Sequence, residues 1–328
     1  MRKWRFFLIS FFVFVIAFLI FSWIFSCGRS GLFEVREGEG VFQIAKNLKK
    51  QGFIRAEFPF YFYLFLTNKW RDLKSGVYQF SSDETFLSIA QKIIQGDTHT
   101  IKITIPEGYN LAQIDARLSE AGLIEKGEII DFDIENFQFS ILNFQSNPNF
   151  QFSNLEGFLF PDTYYFSPSA GVEKIVKIFL DNFDKKLTAE MRQEIERQNK
   201  TIFEIITMAS LIEKEVKTIE DKKIVAGILW KRLKNNIPLQ VDATITYITG
   251  RRTTKISKEE TKIDSPYNTY RYKGLPKGPI CNPGLDSILA AIYPKDSEYW
   301  YYLSTPKGET IFSETLEDHI RAKKKYLK

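Results

Sequence analysis

The chain has 328 residues, enough for two or three domains with cores of their own. Its net charge of +5 is scattered along the sequence, which argues against nucleic acid as a partner. Two cysteines, Cys27 and Cys281, argue against a disulfide framework, and the only histidines, His99 and His319, are too far apart in sequence to suggest a histidine triad or metal centre; no metal or cofactor is expected.

Residues 6–25 are apolar except for Ser10 and Ser22. At about 1.5 Å per residue such a helix spans roughly 30 Å, the thickness of a bilayer core. Arg2, Lys3 and Arg5 precede the run and only Arg29 follows it closely. That bias predicts a stub at 1–5 in the cytoplasm, a single-pass anchor at 6–25 in the cytoplasmic (inner) membrane, and an extracytoplasmic body. The competing reading is a cleaved signal peptide or a lipoprotein signal ending at Cys27. The run is long for that, and Phe25 suits a lipobox poorly.

A loosely repeated unit follows: an extended segment, an acidic or glycine turn, and an amphipathic helix closed by glycine. It recurs at 35–52, 80–96 and 105–122, with Gly38, Asp83 and Gly108 each six positions before Ile44, Ile89 and Ile114. The inward positions are Ile44, Ala45 and Leu48, then Ile89, Ala90 and Ile93, then Ile114, Ala116 and Leu118. The first copy, FEVREGEGVFQIAKNLKKQG, resembles a LysM-like glycan-binding module, and 31–100 is assigned as that subdomain. Residues 101–152 are a connecting segment that turns rich in asparagine and phenylalanine after Leu123.

Beyond it, the main domain is assigned to 153–328. Apolar spacing predicts helices at 172–183, 188–198, 202–216 and 220–236. A run rich in β-branched residues predicts a strand at 239–248, followed by a charged loop at 251–262. A loop punctuated by proline and glycine occupies 265–284. A helix near 285–292, an aromatic strand at 299–304 and a closing helix from Ser313 complete the chain. This mixture of helices and strands defines an α+β class.

In TIFEIITMASLIEKEV, Glu213 lies on one helical face with Ile206, Ala209 and Val216. A carboxyl on an apolar stripe is poorly hydrated, and poor hydration favours the protonated form that a general acid needs. Glu215 shares a face with Met208 and Leu211, so spacing alone leaves both glutamates open, and an ordinary surface glutamate as well. Three further segments combine aromatic, amide and carboxylate groups: LEGFLFPDTYYF, PLQVDATITY and SPYNTYRYKGLPKGPICNPG. Sugar rings offer apolar faces for stacking and hydroxyl edges for polar side chains, so these clusters suit glycan recognition.

Taken together, LEGFLFPDTY, ASLIEKE, IPLQVDATITY, SPYNTYRYKGLPKGPICNPG and YYLSTPKGETIFSETLEDH resemble, in order, the signatures of the endolytic murein transglycosylase family, also called YceG-like. The likeness runs from about residue 33 to the C-terminus. Val241 stands where a serine is expected and Ala243 where proline is usual. The resemblance implies a membrane-anchored carbon–oxygen lyase that cuts within nascent peptidoglycan strands at the MurNAc–GlcNAc bond and leaves 1,6-anhydroMurNAc ends. It implies Glu213 as the catalytic group, with Glu156, Gln240, Asp242, Asn268, Tyr270 and Asn282 lining the glycan site. A peptidoglycan synthase is the partner it suggests. The alternative is a non-catalytic peptidoglycan-binding scaffold.

Overall fold

The computed structural model describes residues 28–134, 155–251 and 256–327. The stub at 1–5, the apolar run 6–25, Cys27 and residues 135–152 of the connecting segment lie outside them. Among the described residues no helix is long and apolar enough to cross a membrane. The described chain is mixed α+β and divides into two units. One holds residues up to 102 with 165–170, the other 103–164 with the remainder from 171.

In the first unit, strand β1 (Gly31–Val35) pairs antiparallel with β2 (Gly76–Phe80), Phe33 facing Tyr78. Helices α1 (Val41–Lys50), α2 (Glu57–Leu66) and α3 (Phe86–Gln95) complete it. The repeat predicts α1 and α3 correctly, and Ile44, Ala45, Leu48, Ile89, Ala90 and Ile93 are fully buried as expected. They pack with Phe33, Phe53 and Phe80, and the rings of Phe33 and Phe80 each meet that of Phe53 edge-on at 5.5 Å. Helix α2, EFPFYFYLFL, was not expected: apolar nearly all round, it has no polar face for periodicity to reveal.

The third repeat becomes helix α4 (Leu111–Glu120) in the second unit, and before it strand β3 (Ile101–Thr104) pairs with β4 (Thr163–Phe166). Ile114 and Leu118 are buried, but Ala116 is only half-buried. Its neighbour Asp115 is buried instead and accepts bonds from the Gly127 and Ile129 amides at 2.8 and 3.0 Å. Helices α5 (Val172–Lys186), α6 (Ala189–Arg197), α7 (Ile202–Glu215) and α8 (Ile219–Lys234) follow within three residues of the expected bounds.

Helix α7 is the hub of this unit, and every residue from Ile205 to Ile212 is buried. Its start is fixed by a capping box, in which Thr201 Oγ1 accepts from the Glu204 amide and Glu204 accepts from the Thr201 amide. Helix α10 (Leu285–Ile292) packs on both α7 and α8. The C-terminal part adds the hairpin β5 (Tyr301–Ser304) and β6 (Thr310–Ser313), then α11 (Leu316–Tyr326).

One expectation is overturned. Residues 239–248 do not form a strand, because Asp242–Thr249 is helix α9, stopped by Gly250 in the left-handed conformation. β-Branched residues suggest a strand, yet Thr244, Thr246 and Thr249 donate their hydroxyls to carbonyls three or four residues back, at 2.7, 2.9 and 3.0 Å. With Thr244 and Ile245 buried, tertiary packing outweighs the weak β preference.

Candidate active site

Glu213 occupies the last turn of α7, where the short α7–α8 turn returns Lys222 toward it. Lys222 is 4% exposed, and its Nζ lies 3.2 Å from Glu213 Oε2. From the other side comes the start of α10: the Gly284 amide donates to the same oxygen at 3.1 Å and Ser287 Oγ at 2.5 Å. The carboxyl therefore sits at a helix N-terminus, where amide dipoles and a buried ammonium converge on one oxygen. All three donors, among the described residues, end on Oε2. Oε1 takes none of these bonds.

A second carboxyl lies close by. The turn at Gly108, at φ +77°, passes over Glu213 so closely that a side chain there would stand 3.5 Å from Glu213 Cγ and 3.3 Å from Lys214 Nζ. Glu107, just before it, lays its carboxyl against Gly284, occupying the space a Cβ would take there. Partial burial first, then the neighbouring charges of Glu213 and Asp286, push the Glu107 carboxyl above its ordinary range, with Lys222 opposing them.

Beneath this turn lie two of the expected site residues. Asn282 is fully buried and spends its amide on the protein: Oδ1 accepts from the Leu159 amide at 2.8 Å, and Nδ2 donates to Tyr109 O at 2.9 Å and Glu156 Oε1 at 3.2 Å. Its backbone clasps the turn in both directions, to Gly108 and Tyr109. Glu156, 2% exposed, accepts from the first amide of α4, Leu111, at 3.1 Å and from Tyr247 Oη at 3.3 Å. Burial drives its pKa up to about 7, against the lowering effect of the Leu111 amide, Tyr247 and Lys214.

The remaining expected residues form a second group around the start of α9. The Gln240 backbone, at φ +54°, donates to Thr269 O at 3.1 Å, and its side-chain oxygen accepts from Arg232 at 2.9 Å. Asp242 is exposed and accepts from Tyr270 Oη, whose ionisation is pushed well up by burial and by that bond. Asn268 is buried; its Nδ2 donates to Thr261 O and Ile263 O, and its Oδ1 accepts from the Tyr270 amide. Glu215 belongs to this group as well. Its pKa is raised to about 7, by burial first and by Asp242 next, while Tyr302 and the Ala243 amide pull it down.

Around Glu213, the expected catalytic group, the structure gathers Lys222, Ser287 and Glu107, which the sequence reading did not single out. Lys222 lies on a polar stretch, Ser287 is a lone hydroxyl in the apolar run LDSILAAI, and Glu107 was marked only by its place beside the turn residue Gly108.

A buried lysine and a helix start focused on one glutamate, in an α+β unit, define a carboxylate-centred class of site. The chain belongs to the YceG-like family, whose model matches residues 33–325. An endolytic murein transglycosylase of Bacillus subtilis is 33% identical over 307 residues, covering 89% of this chain and 84% of that protein. One from Streptococcus pneumoniae is 31% identical over 313 residues; this chain spans only 56% of its length. The crystal structure of a yceG-like protein from Listeria monocytogenes aligns with a TM-score of 0.61 at 32% identity, covering 90% of this chain and 99% of that one.

Proposed function

We propose that this protein is an endolytic lytic transglycosylase of peptidoglycan, a carbon–oxygen lyase in which Glu213 acts first as acid and then as base. The observation that carries this reading is the division of labour in its carboxyl: Oε2 is held by Lys222, Gly284 and Ser287, while Oε1 takes no bond from them. Oε1 is thereby oriented toward a bound substrate, and the three donors receive the negative charge left when the proton departs.

In this mechanism Glu213 protonates the oxygen between MurNAc and GlcNAc, and the bond breaks through an oxocarbenium-like state. The carboxylate then takes the proton of the MurNAc 6-hydroxyl, whose oxygen closes on C1 to give the 1,6-anhydro end. Protons balance without water, and Glu213 is returned to its starting form. Gln240, Asp242 and Tyr270 present their groups to the glycan. Glu156, Asn268 and Asn282, being buried, act by holding the loops that carry the site. Nascent strands are the substrate, met through a LysM-like first unit and a single-pass anchor at 6–25 in the cytoplasmic membrane, beside a glycan-extending synthase.

The test is digestion of intact peptidoglycan by the wild-type chain and by Glu213→Gln, with mass spectrometry of the ends. Anhydro ends from the wild type and none from the variant are expected; reducing ends without anhydro sugars would overturn the lyase reading. General acid–base participation predicts a loss of roughly 100- to 10,000-fold in the variant.

A further inference from the structure

Helix α2 leaves one side of the first unit strongly apolar. Phe58, Phe62, Phe65 and Leu66 are 58, 51, 42 and 74% exposed, and Phe42 of α1, 61% exposed, joins them. The rings form one continuous patch: Phe58 stacks on Phe62 at 5.3 Å, while Phe42 meets Tyr61 at 5.1 Å and Phe65 at 5.7 Å. Soluble surfaces rarely expose such a cluster without a partner.

We infer that this aromatic face is a lipid-contact surface, seated in the headgroup and upper acyl region of the membrane that the 6–25 run is read to span. The inference rests on that anchor reading. Three observations favour lipid over other occupants. First, the exposed members of the patch carry no hydrogen-bonding side-chain atoms and stack on one another, whereas a sugar site needs polar groups at its hydroxyl edges. Second, the surrounding segment is cationic: residues 41–74 hold Lys46, Lys49, Lys50, Arg55, Lys69, Arg71 and Lys74 against Glu57 and Asp72 alone. Aromatic anchors on a segment rich in lysine and arginine match the boundary between anionic headgroups and acyl chains. Third, reach allows it. Only five residues lie between Phe25 and Gly31, where β1 begins, so an inserted run can lie no more than about 20 Å from the first unit.

The consequence is a first unit that lies against the bilayer by its own surface, so that its distance from the membrane is set by contact as well as by the tether.

The test uses the full chain carrying Cys27→Ser in nanodiscs containing anionic lipid, with one nitroxide at Phe62→Cys or, as a reference, at the exposed Gln79→Cys. Co-elution of the chain with nanodiscs reports the anchor; power saturation with oxygen and a nickel complex reports the depth of each label. Expected is co-elution with a several-fold higher ratio of oxygen to nickel accessibility at position 62 than at 79. Co-elution with equal ratios overturns the lipid contact and leaves the anchor standing. Failure to co-elute overturns both, and dipolar broadening at position 62 replaces lipid by a second copy of the chain.

Discussion

Glu213 and Ser287 are 74 residues apart in sequence, yet the hydroxyl of one lies 2.5 Å from Oε2 of the other. The contact joins the last turn of α7 to the first turn of α10. It makes the position of the carboxyl a property of helix packing, since α7, α8 and α10 must all be in place for the three donors to converge.

Ser287→Ala removes one donor and leaves two. A hydrogen bond to a charged group is worth about 1.5–3 kcal/mol, so kcat should fall roughly 10- to 100-fold if that bond matters most once the carboxylate is charged. KM should change little, because Ser287 is buried. Turnover on purified glycan strands checks this, and an unaltered kcat would remove Ser287 from the machinery.

Glu107→Gln probes the second carboxyl. At a pH where Glu107 is ionised its charge opposes a charge on Glu213, as the mutual effect on Glu107 indicates. Glu107 keeps its proton to higher pH than an ordinary carboxyl, so this variant should change the activity profile where Glu107 itself titrates, with kcat at the optimum changed less than in Glu213→Gln. A pH–kcat profile that superimposes on the wild type would show that the two carboxyls do not communicate.

These residues also show what the sequence could and could not convey. The stripe Ile206, Ala209 and Val216, local to one helix, made Glu213 a candidate, but the same helix left Glu215 open, and the family signature rather than spacing chose between them. The three-fold repeat was legible because its spacing is likewise local, down to the buried Ile44, Ile89 and Ile114. Lys222, Ser287 and Glu107 were not, because each reaches Glu213 only through tertiary packing. The strand expected at 239–248 failed where local propensity and packing disagreed, and α2 escaped notice because exposed phenylalanines erase the polar face that marks an amphipathic helix. Glu156 and Asn282 stood out as sugar-binding types, yet nothing in their neighbours announced that they would be buried.

Burial of Glu156 makes stability depend on pH in a definite direction. Its pKa is about 7 when folded, against about 4.3 in an unfolded chain. Between those values the folded protein holds the extra proton, so stability falls as pH rises. The contribution is complete below about pH 4 and lost by the time pH passes 7, on the order of 3 kcal/mol in all. Glu215 acts in the same sense. Chemical denaturation across pH 4.5–8 should show the decline, and Glu156→Gln should flatten part of it. A wild-type stability that rises over this window would contradict the assignment.

A steric constraint on the site that no flexible side chain can relieve lies at Gly157, in the LEGFLF turn. At φ +91° it is already in territory that side chains avoid, and a Cβ there would stand 2.6 Å from Pro279 and 2.9 Å from Ile206 Cγ2. One contact is a rigid ring in the loop that carries Asn282, the other the core of α7, so neither yields cheaply. Gly38 offers a matched comparison, since its φ is +77° and nothing lies within 4 Å of its would-be Cβ. Gly38→Ala should then cost about 1 kcal/mol from backbone strain alone, whereas Gly157→Ala adds overpacking and should cost about 2–4 kcal/mol. Amide exchange reads each unit separately: the 202–215 peptide should lose protection in Gly157→Ala and keep it in Gly38→Ala. Because the displaced loop also supplies the Gly284 amide to Glu213, Gly157→Ala should lower kcat even at temperatures where it remains folded. Equal protection and equal turnover in the two variants would show that the loop can shift without disturbing the site.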